Sequence, residues 1–178
     1  MITLKRITTE DKALYAFMEN LMTTSFPTDE YRELDELRTF TDTRPQFVNN
    51  VIFDDDTPIG FISYWNFEDF HYAEHFAIDP SQRNGGYGKK VLQLLCESLH
   101  RPIILEVELP DTKMAQRRIN FYRRNGFALW DNDYLQPPYK KGASFIPMRL
   151  MAYGPLDSVN DFERIKNCIY RNVYGTES

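Results

Sequence analysis

The sequence predicts an α+β fold, α and β mixed, in which helices cover a mixed sheet. Three observations carry this. Strand-period and helix-period segments succeed one another with no linker, internal repeat or low-complexity tract between them. An apolar strand over residues 71–78 runs through a glycine-rich turn straight into an amphipathic helix. Over 178 residues, 42% apolar and 15% aromatic side chains supply material for one compact core.

Taken in order, Ile2 to Ile7 alternates like a strand. Thr8-x-x-Asp11 has the form of a capping box, and Leu14, Phe17, Met18, Leu21 and Met22 follow at helical spacing before Pro27. A second helix is expected from Thr28 to about Phe40. Gln46 to Phe53 and Ile59 to Phe67 are β-rich runs joined by Asp54-Asp55-Asp56-Thr57-Pro58, a hairpin turn. Adjacent aspartates on a turn diverge, so this triplet reads as solvated surface and not as a metal site. His71 to Ile78 is the next strand.

Past the glycines, Val91, Leu95 and Leu99, with Leu92 and Cys96 beside them, give a helix one packed face. Arg101 to Glu108 returns as a strand, and Asp111 or Thr112 caps a helix whose Ala115, Ile119 and Tyr122 face inward until Asn125-Gly126 stops it. Phe127 to Trp130 and Ser144 to Tyr153 are the last strands. Between them, Pro137-Pro138 predicts an ordered loop or wide turn without regular structure. Ser158-x-x-Asp161 opens a terminal helix with Phe162, Ile165, Ile169 and Val173 inward. The order is β-α-α-β-β-β-α-β-α-β-β-α.

Composition narrows the function classes. A net charge of −5 and a pI near 5.3 argue against a general nucleic-acid binder or an anionic-membrane binder, and favour a cationic or amine substrate. Cys96 and Cys168 have neither metal-ligand spacing nor disulfide density and read as free thiols in a reducing compartment. The chain has no hydrophobic segment of secretory or membrane-spanning length, so a cytoplasmic location is expected.

The glycine turn carries the chemistry. In Arg83-x-x-Gly86-x-Gly88, Gly85, Gly86 and Gly88 permit positive φ or close approach, and the following helix leaves its first N–H groups unpaired. That arrangement is a phosphate cradle. Lys89 and Lys90 sit at the positive end of the helix dipole, which is unfavourable unless an anion rests there.

These residues resemble the GNAT superfamily of N-acetyltransferases, in a bacterial-type form. Three features match in order: Ala73 to Leu95 with Arg83-x-x-Gly86-x-Gly88; Ala115-x-x-x-x-x-Phe121-Tyr122-x-x-x-Gly126-Phe127; and the succession of elements over nearly the whole chain. The resemblance implies a single acetyltransferase domain over residues 1–178, with a central mixed, mostly antiparallel, splayed sheet and an extra C-terminal helix at 158–174. It implies acetyl-CoA as co-substrate, no metal, and transfer of the acetyl group to a primary amine of a small molecule or peptide by direct attack in a ternary complex. The cofactor would lie on Phe76, Ala77, Ile78, Arg83, Asn84, Gly85, Gly86, Tyr87, Gly88 and Lys89. The family's asparagine three residues before Ala115 is Thr112 here, so no cofactor contact is assigned to it.

An amine must be neutral to attack a thioester, so a base removes its proton and an acid protonates the departing thiolate. Glu74 is the expected base, an ionisable group on the strand beside the thioester, with His71 and His75, of opposite parity, as rivals. Tyr122 is the expected acid. Phe26, Trp65, Tyr134, Gln136 and Tyr139 are the expected acceptor contacts, and Asp29, Glu30, Glu68 and Asp69 are acids suited to an ammonium group. Two alternatives stand beside this reading. One is a non-catalytic acyl-CoA sensor or interaction module on the same fold. The other is a dinucleotide-dependent oxidoreductase, disfavoured because Val91 occupies the third-glycine position. The terminal helix, with Tyr170 and Tyr174, offers a surface for a homodimer.

Overall fold

The computed structural model describes residues 1–176. Eight strands form one sheet: β1 (Ile2–Arg6), β2 (Phe47–Asp54), β3 (Thr57–Asn66), β4 (His71–Ile78), β5 (Ile103–Glu108), β6 (Ala128–Leu129), β7 (Tyr134–Gln136) and β8 (Ile146–Tyr153). Their order is β1-β2-β3-β4-β5-β8-β6, with β7 also on β8. Every pairing is antiparallel except β4 with β5. The helices are α1 (Lys12–Ser25), α2 (Leu34–Thr43), α3 (Tyr87–Ser98), α4 (Lys113–Arg124) and α5 (Phe162–Ile169), the last followed by a widened turn over Tyr170–Tyr174.

Helices cover both faces of the sheet, as the amphipathic spacings require. Met18, Leu21 and Met22 of α1, Leu37 and Phe40 of α2, and Phe162, Ile165 and Ile169 of α5 pack with Trp65 and Tyr72 on one face. Val91, Leu92 and Leu95 of α3 and Ile119 of α4 pack with Ile62, Leu105 and Met151 on the other. Burying each such aliphatic side chain contributes about 1.5–3 kcal/mol.

The local differences from the sequence reading have physical causes. Thr8 and Asp11 close a turn ahead of α1, the Thr8 amide donating to the Asp11 carboxylate, and the helix starts only at Lys12. The expected helix from Thr28 is broken. Thr28–Glu30 forms a single 3-10 turn, Tyr31 is extended at φ −146° and ψ 158°, and α2 begins at Leu34. The break turns Arg32, only 2% exposed, into the core. Residues 134–136, expected without regular structure, pair with β8 before Pro137 ends the strand. Asp161, not Ser158, precedes the first turn of α5, and its carboxylate accepts from the Asp157 amide. Thr112 caps α4 through its hydroxyl, which accepts from the Ala115 amide.

Two features of β4 position the site. It pairs with β5 only through His71, Tyr72 and Ala73, opposite Ile103, Ile104 and Leu105, after which the strands part into a fork. The edge of β4 from Glu74 to Ile78 that faces the fork therefore has no strand partner. On its other edge, Tyr64 faces Ala73 while Ser63 faces His75, so Glu74 is the extra residue of a β-bulge. Among the described residues no helix is long and apolar enough to cross a membrane.

Candidate active site

The bulge decides which side chains meet. Strict alternation would separate Glu74 from His75; the extra residue sends both to the face packed by α1 and α2. His71 stays on the opposite face at the closed end of the fork, edge-on to Tyr64 at 5.6 Å. Burial, with Arg101 nearby, lowers its pKa to about 4.

A cavity of about 540 Å³ opens where β4 and β5 part, and Glu74, His75, Glu106, Gln136 and Tyr139 are among its walls. The Glu74 side chain is 0% exposed. Its carboxylate accepts from Arg32 Nη2 at 2.7 Å, Trp65 Nε1 at 2.8 Å and the Tyr139 hydroxyl at 2.7 Å. Burial opposes its ionisation, but the Arg32 charge and the Tyr139 and Trp65 hydrogen bonds outweigh burial and hold it below the usual carboxylate range. Arg32 lies among Phe40, Tyr139 and Phe47 rings at 4.8, 5.3 and 5.6 Å.

His75 is also buried, between Phe26 at 4.9 Å and Tyr139 at 5.8 Å. Its Nε2 lies 2.8 Å from the Glu30 carbonyl oxygen. A carbonyl only accepts, so Nε2 carries the hydrogen and the neutral ring has its lone pair on Nδ1. That nitrogen is buried without a hydrogen-bond partner, 4.0 Å from Glu74 Oε2. Burial lowers the pKa of His75 against the pull of Glu74, so the ring is neutral at pH 7.

On the other arm of the fork, Glu106 is the first residue of β5 beyond the last pairing with β4. Tyr134, Gln136 Nε2 at 2.8 Å and the Tyr174 hydroxyl at 2.7 Å all donate to it. Burial pushes its carboxyl above the usual range despite these donors.

Phe26, Gln136 and Tyr139 of the expected acceptor contacts line the cavity. Trp65, 0% exposed, and Tyr134, 2% exposed, do not; they stand behind it, holding Glu74 and Glu106. Of the acids named for an ammonium, Glu30 lines the cavity, whereas Asp69 is paired with Arg164. The Tyr170 and Tyr174 hydroxyls donate inward, to the Leu135 carbonyl and to Glu106. Arg32 and Glu106 were not singled out in the sequence as site residues. Tyr122 lies on the α3/α4 face beside Phe121 and Phe127, at 5.3 and 5.5 Å. Its hydroxyl makes no hydrogen bond among the described residues, and burial raises its pKa, so it stays protonated at neutral pH.

The glycine turn fits a diphosphate. Residues Pro80–Gly85 form a 3-10 turn that ends on Gly86, at φ +66° and ψ 24°, which is also the residue before α3. No side chain caps α3 and no acid occupies its first turn, leaving its N–H groups to a ligand. Lys89 and Arg83 are exposed there, Phe121 approaches the position a Gly88 Cβ would take to 3.5 Å, and Tyr87 ties the helix to Asp54 by a 2.7 Å hydrogen bond. Phe76, Ala77 and Ile78 lie on the unpaired edge that leads from this turn to the fork. Replacing Gly86 with Ala is expected to cost about 1–2 kcal/mol, since an L-residue is strained at this φ while its Cβ meets no neighbour. Thermal melting reads that loss, and calorimetric titration is expected to show acetyl-CoA affinity reduced about tenfold.

The Acetyltransferase (GNAT) family model matches residues 12–127. A solved structure from Bacteroides thetaiotaomicron, whose description assigns it to the GNAT family, is 56% identical, with a TM-score of 0.97 over 98% of this chain and 99% of that one. A spermidine N-acetyltransferase chimera from Vibrio cholerae and hSSAT is 16% identical, with a TM-score of 0.63 over 89% and 98%. A protein from Salmonella typhimurium, solved with its cofactor acetyl-CoA, is 14% identical, with a TM-score of 0.58 over 88% and 95%. No curated protein matches the chain.

Proposed function

The chain belongs to the GNAT acetyltransferase family and is an acetyl-CoA-dependent acetyltransferase; from that premise we propose that it acetylates a primary amine of a small molecule or peptide by direct attack in a ternary complex. One observation carries this reading. His75 lines the cavity at the fork as a buried neutral imidazole whose Nδ1 has no hydrogen-bond partner.

Acetyl-CoA would rest its diphosphate on the N–H groups of residues 83–89 and run its pantetheine along the Phe76–Ile78 edge of β4, bringing the thioester to the fork. The acceptor enters from the cavity. His75 Nδ1 takes the amine's proton as nitrogen bonds to the carbonyl carbon, and Glu74, 4.0 Å away, supplies the counter-charge to the imidazolium. The sequence reading gives the base role to Glu74 itself, but its carboxylate is held by three donors and kept below the usual carboxylate range. Geometry therefore favours Glu74 as the residue that positions and stabilises His75. As the carbon–sulfur bond breaks, Tyr122 donates its proton to the thiolate.

Initial rates with both substrates varied test direct transfer. Intersecting double-reciprocal lines, with no acetyl mass added to the protein, are expected; parallel lines with an acetylated protein would contradict it. For Tyr122→Phe, packing is kept and only the hydroxyl is lost. A fall in kcat of about 10²-fold is expected, the low end for general acids because a thiolate leaves readily. An unchanged kcat in the thiol-release assay would remove Tyr122 from the mechanism.

A further inference from the structure

Two segments of the chain hold the ring of His75, and one lysine joins them. The first is the broken turn after α1, where Phe26 lies edge-on to the ring at 4.9 Å and the Glu30 carbonyl meets Nε2 at 2.8 Å. The second is the loop after β7, whose Tyr139 ring lies 5.8 Å from the imidazole and whose Tyr139 hydroxyl donates to Glu74. Phe26, Glu30 and Tyr139 line the cavity, and Lys140 stands outside those walls. Its ammonium donates to the Thr28 carbonyl and, at 2.7 Å, to the Tyr31 carbonyl, and lies 4.5 Å from the centre of the Tyr31 ring.

The broken helix explains this pairing. In a continuous helix the Thr28, Glu30 and Tyr31 carbonyls would accept from amides four residues on; extended Tyr31 withdraws those amides, and Lys140 and His75 supply hydrogens in their place. The Glu30 carbonyl is thus set between two carbonyls that Lys140 holds. That carbonyl decides the tautomer of His75. With Nε2–H on Glu30, the basic lone pair is on Nδ1. Glu74 Oε2, 4.0 Å from Nδ1, favours the other tautomer, with the hydrogen on Nδ1 and no base there.

We propose that Lys140 is a positioning residue for the reaction: by pinning residues 28–31 to the loop after β7 it keeps the Glu30 carbonyl on His75 Nε2, and so keeps Nδ1 basic. The inference rests on His75 as the base and adds the group that holds it in its working tautomer. Without the ammonium the Glu30 carbonyl is released, and the hydrogen passes to Nδ1, where Glu74 can accept it.

Lys140→Met keeps the stem and loses the ammonium, whereas Lys140→Arg keeps a cation with donors for two carbonyls. In Lys140→Met, kcat is expected to fall at least about tenfold while acetyl-CoA affinity by calorimetry is unchanged, and Lys140→Arg is expected to recover part of the loss. In the His75→Gln background, Lys140→Met is expected to change kcat by less than about twofold, because the group that Lys140 positions is gone. Nitrogen NMR spectra of the imidazole, assigned by the resonances lost in His75→Gln, need no acceptor. They are expected to show Nε2–H alone in the wild type and an Nδ1–H population in Lys140→Met. An unchanged kcat, an unchanged tautomer, or a loss that persists in full in the His75→Gln background overturns the proposal. Wild-type turnover in His75→Gln itself overturns the base assignment, and this inference with it.

Discussion

His75→Gln is expected to lower kcat by about 10³-fold while leaving acetyl-CoA affinity unchanged. The glutamine amide reaches the Glu30 carbonyl as Nε2–H does, so the wall of the cavity is kept, but no basic nitrogen remains where Nδ1 lay. The pH profile separates this role from a structural one. Burial keeps the folded pKa of His75 below its ordinary 6.5, so in the wild type the acid limb of kcat/KM that belongs to the enzyme lies below pH 6.5. That limb is expected to vanish in the variant. A variant that retains wild-type turnover with the same acid limb would move the base elsewhere, with Glu106 across the fork the next group to test.

The second large effect is on stability. Arg32→Met leaves the buried Glu74 carboxyl without its partner charge, a change expected to cost about 3–5 kcal/mol, or roughly 10 °C in Tm for a chain of this size. Replacing Glu74 by Gln in the same chain removes the second charge and is expected to restore part of the loss. The pH dependence has a definite sign. In the wild type Glu74 is held below its ordinary 4.5, so its contribution is full above that value and is lost as pH falls through the folded value. Without Arg32, burial favours the protonated acid. The gap between wild type and variant should therefore narrow on acidification below about pH 5. A pH-independent gap in melting experiments would show that the loss is one of packing among the Phe40, Phe47 and Tyr139 rings.

Local physics explains what the sequence made readable. The strand His71–Ile78, the glycine turn and the packed stripe of α3 depend on neighbours a few residues apart, and each lies where periodicity places it. The antiparallel sheet follows from the same element order and excludes the parallel doubly wound architecture a dinucleotide enzyme would use. The partners within the site were not readable, because long-range pairing decides them. The bulge at Glu74 arises from the register of β4 against β3, has no residue signature, and reverses the parity that set His75 apart from Glu74. Arg32 reaches Glu74 across 42 positions, from a segment whose spacing reads as helix and whose break is what brings the guanidinium inward. Tyr174 reaches Glu106 across 68 positions because the chain widens into a π-type turn after α5. Trp65 and Tyr134, expected as acceptor contacts, hold the carboxylates of Glu74 and Glu106.

Thiol release from acetyl-CoA, followed for the wild type and His75→Gln with monoamines, diamines, an amino acid and a peptide N-terminus, tests the central claim most directly. The account predicts release with a primary amine, the product acetylated on nitrogen, and loss of that release in the variant although acetyl-CoA still binds. Wild-type protein that binds acetyl-CoA and releases no thiol with any amine, or a variant as fast as the wild type, would contradict it.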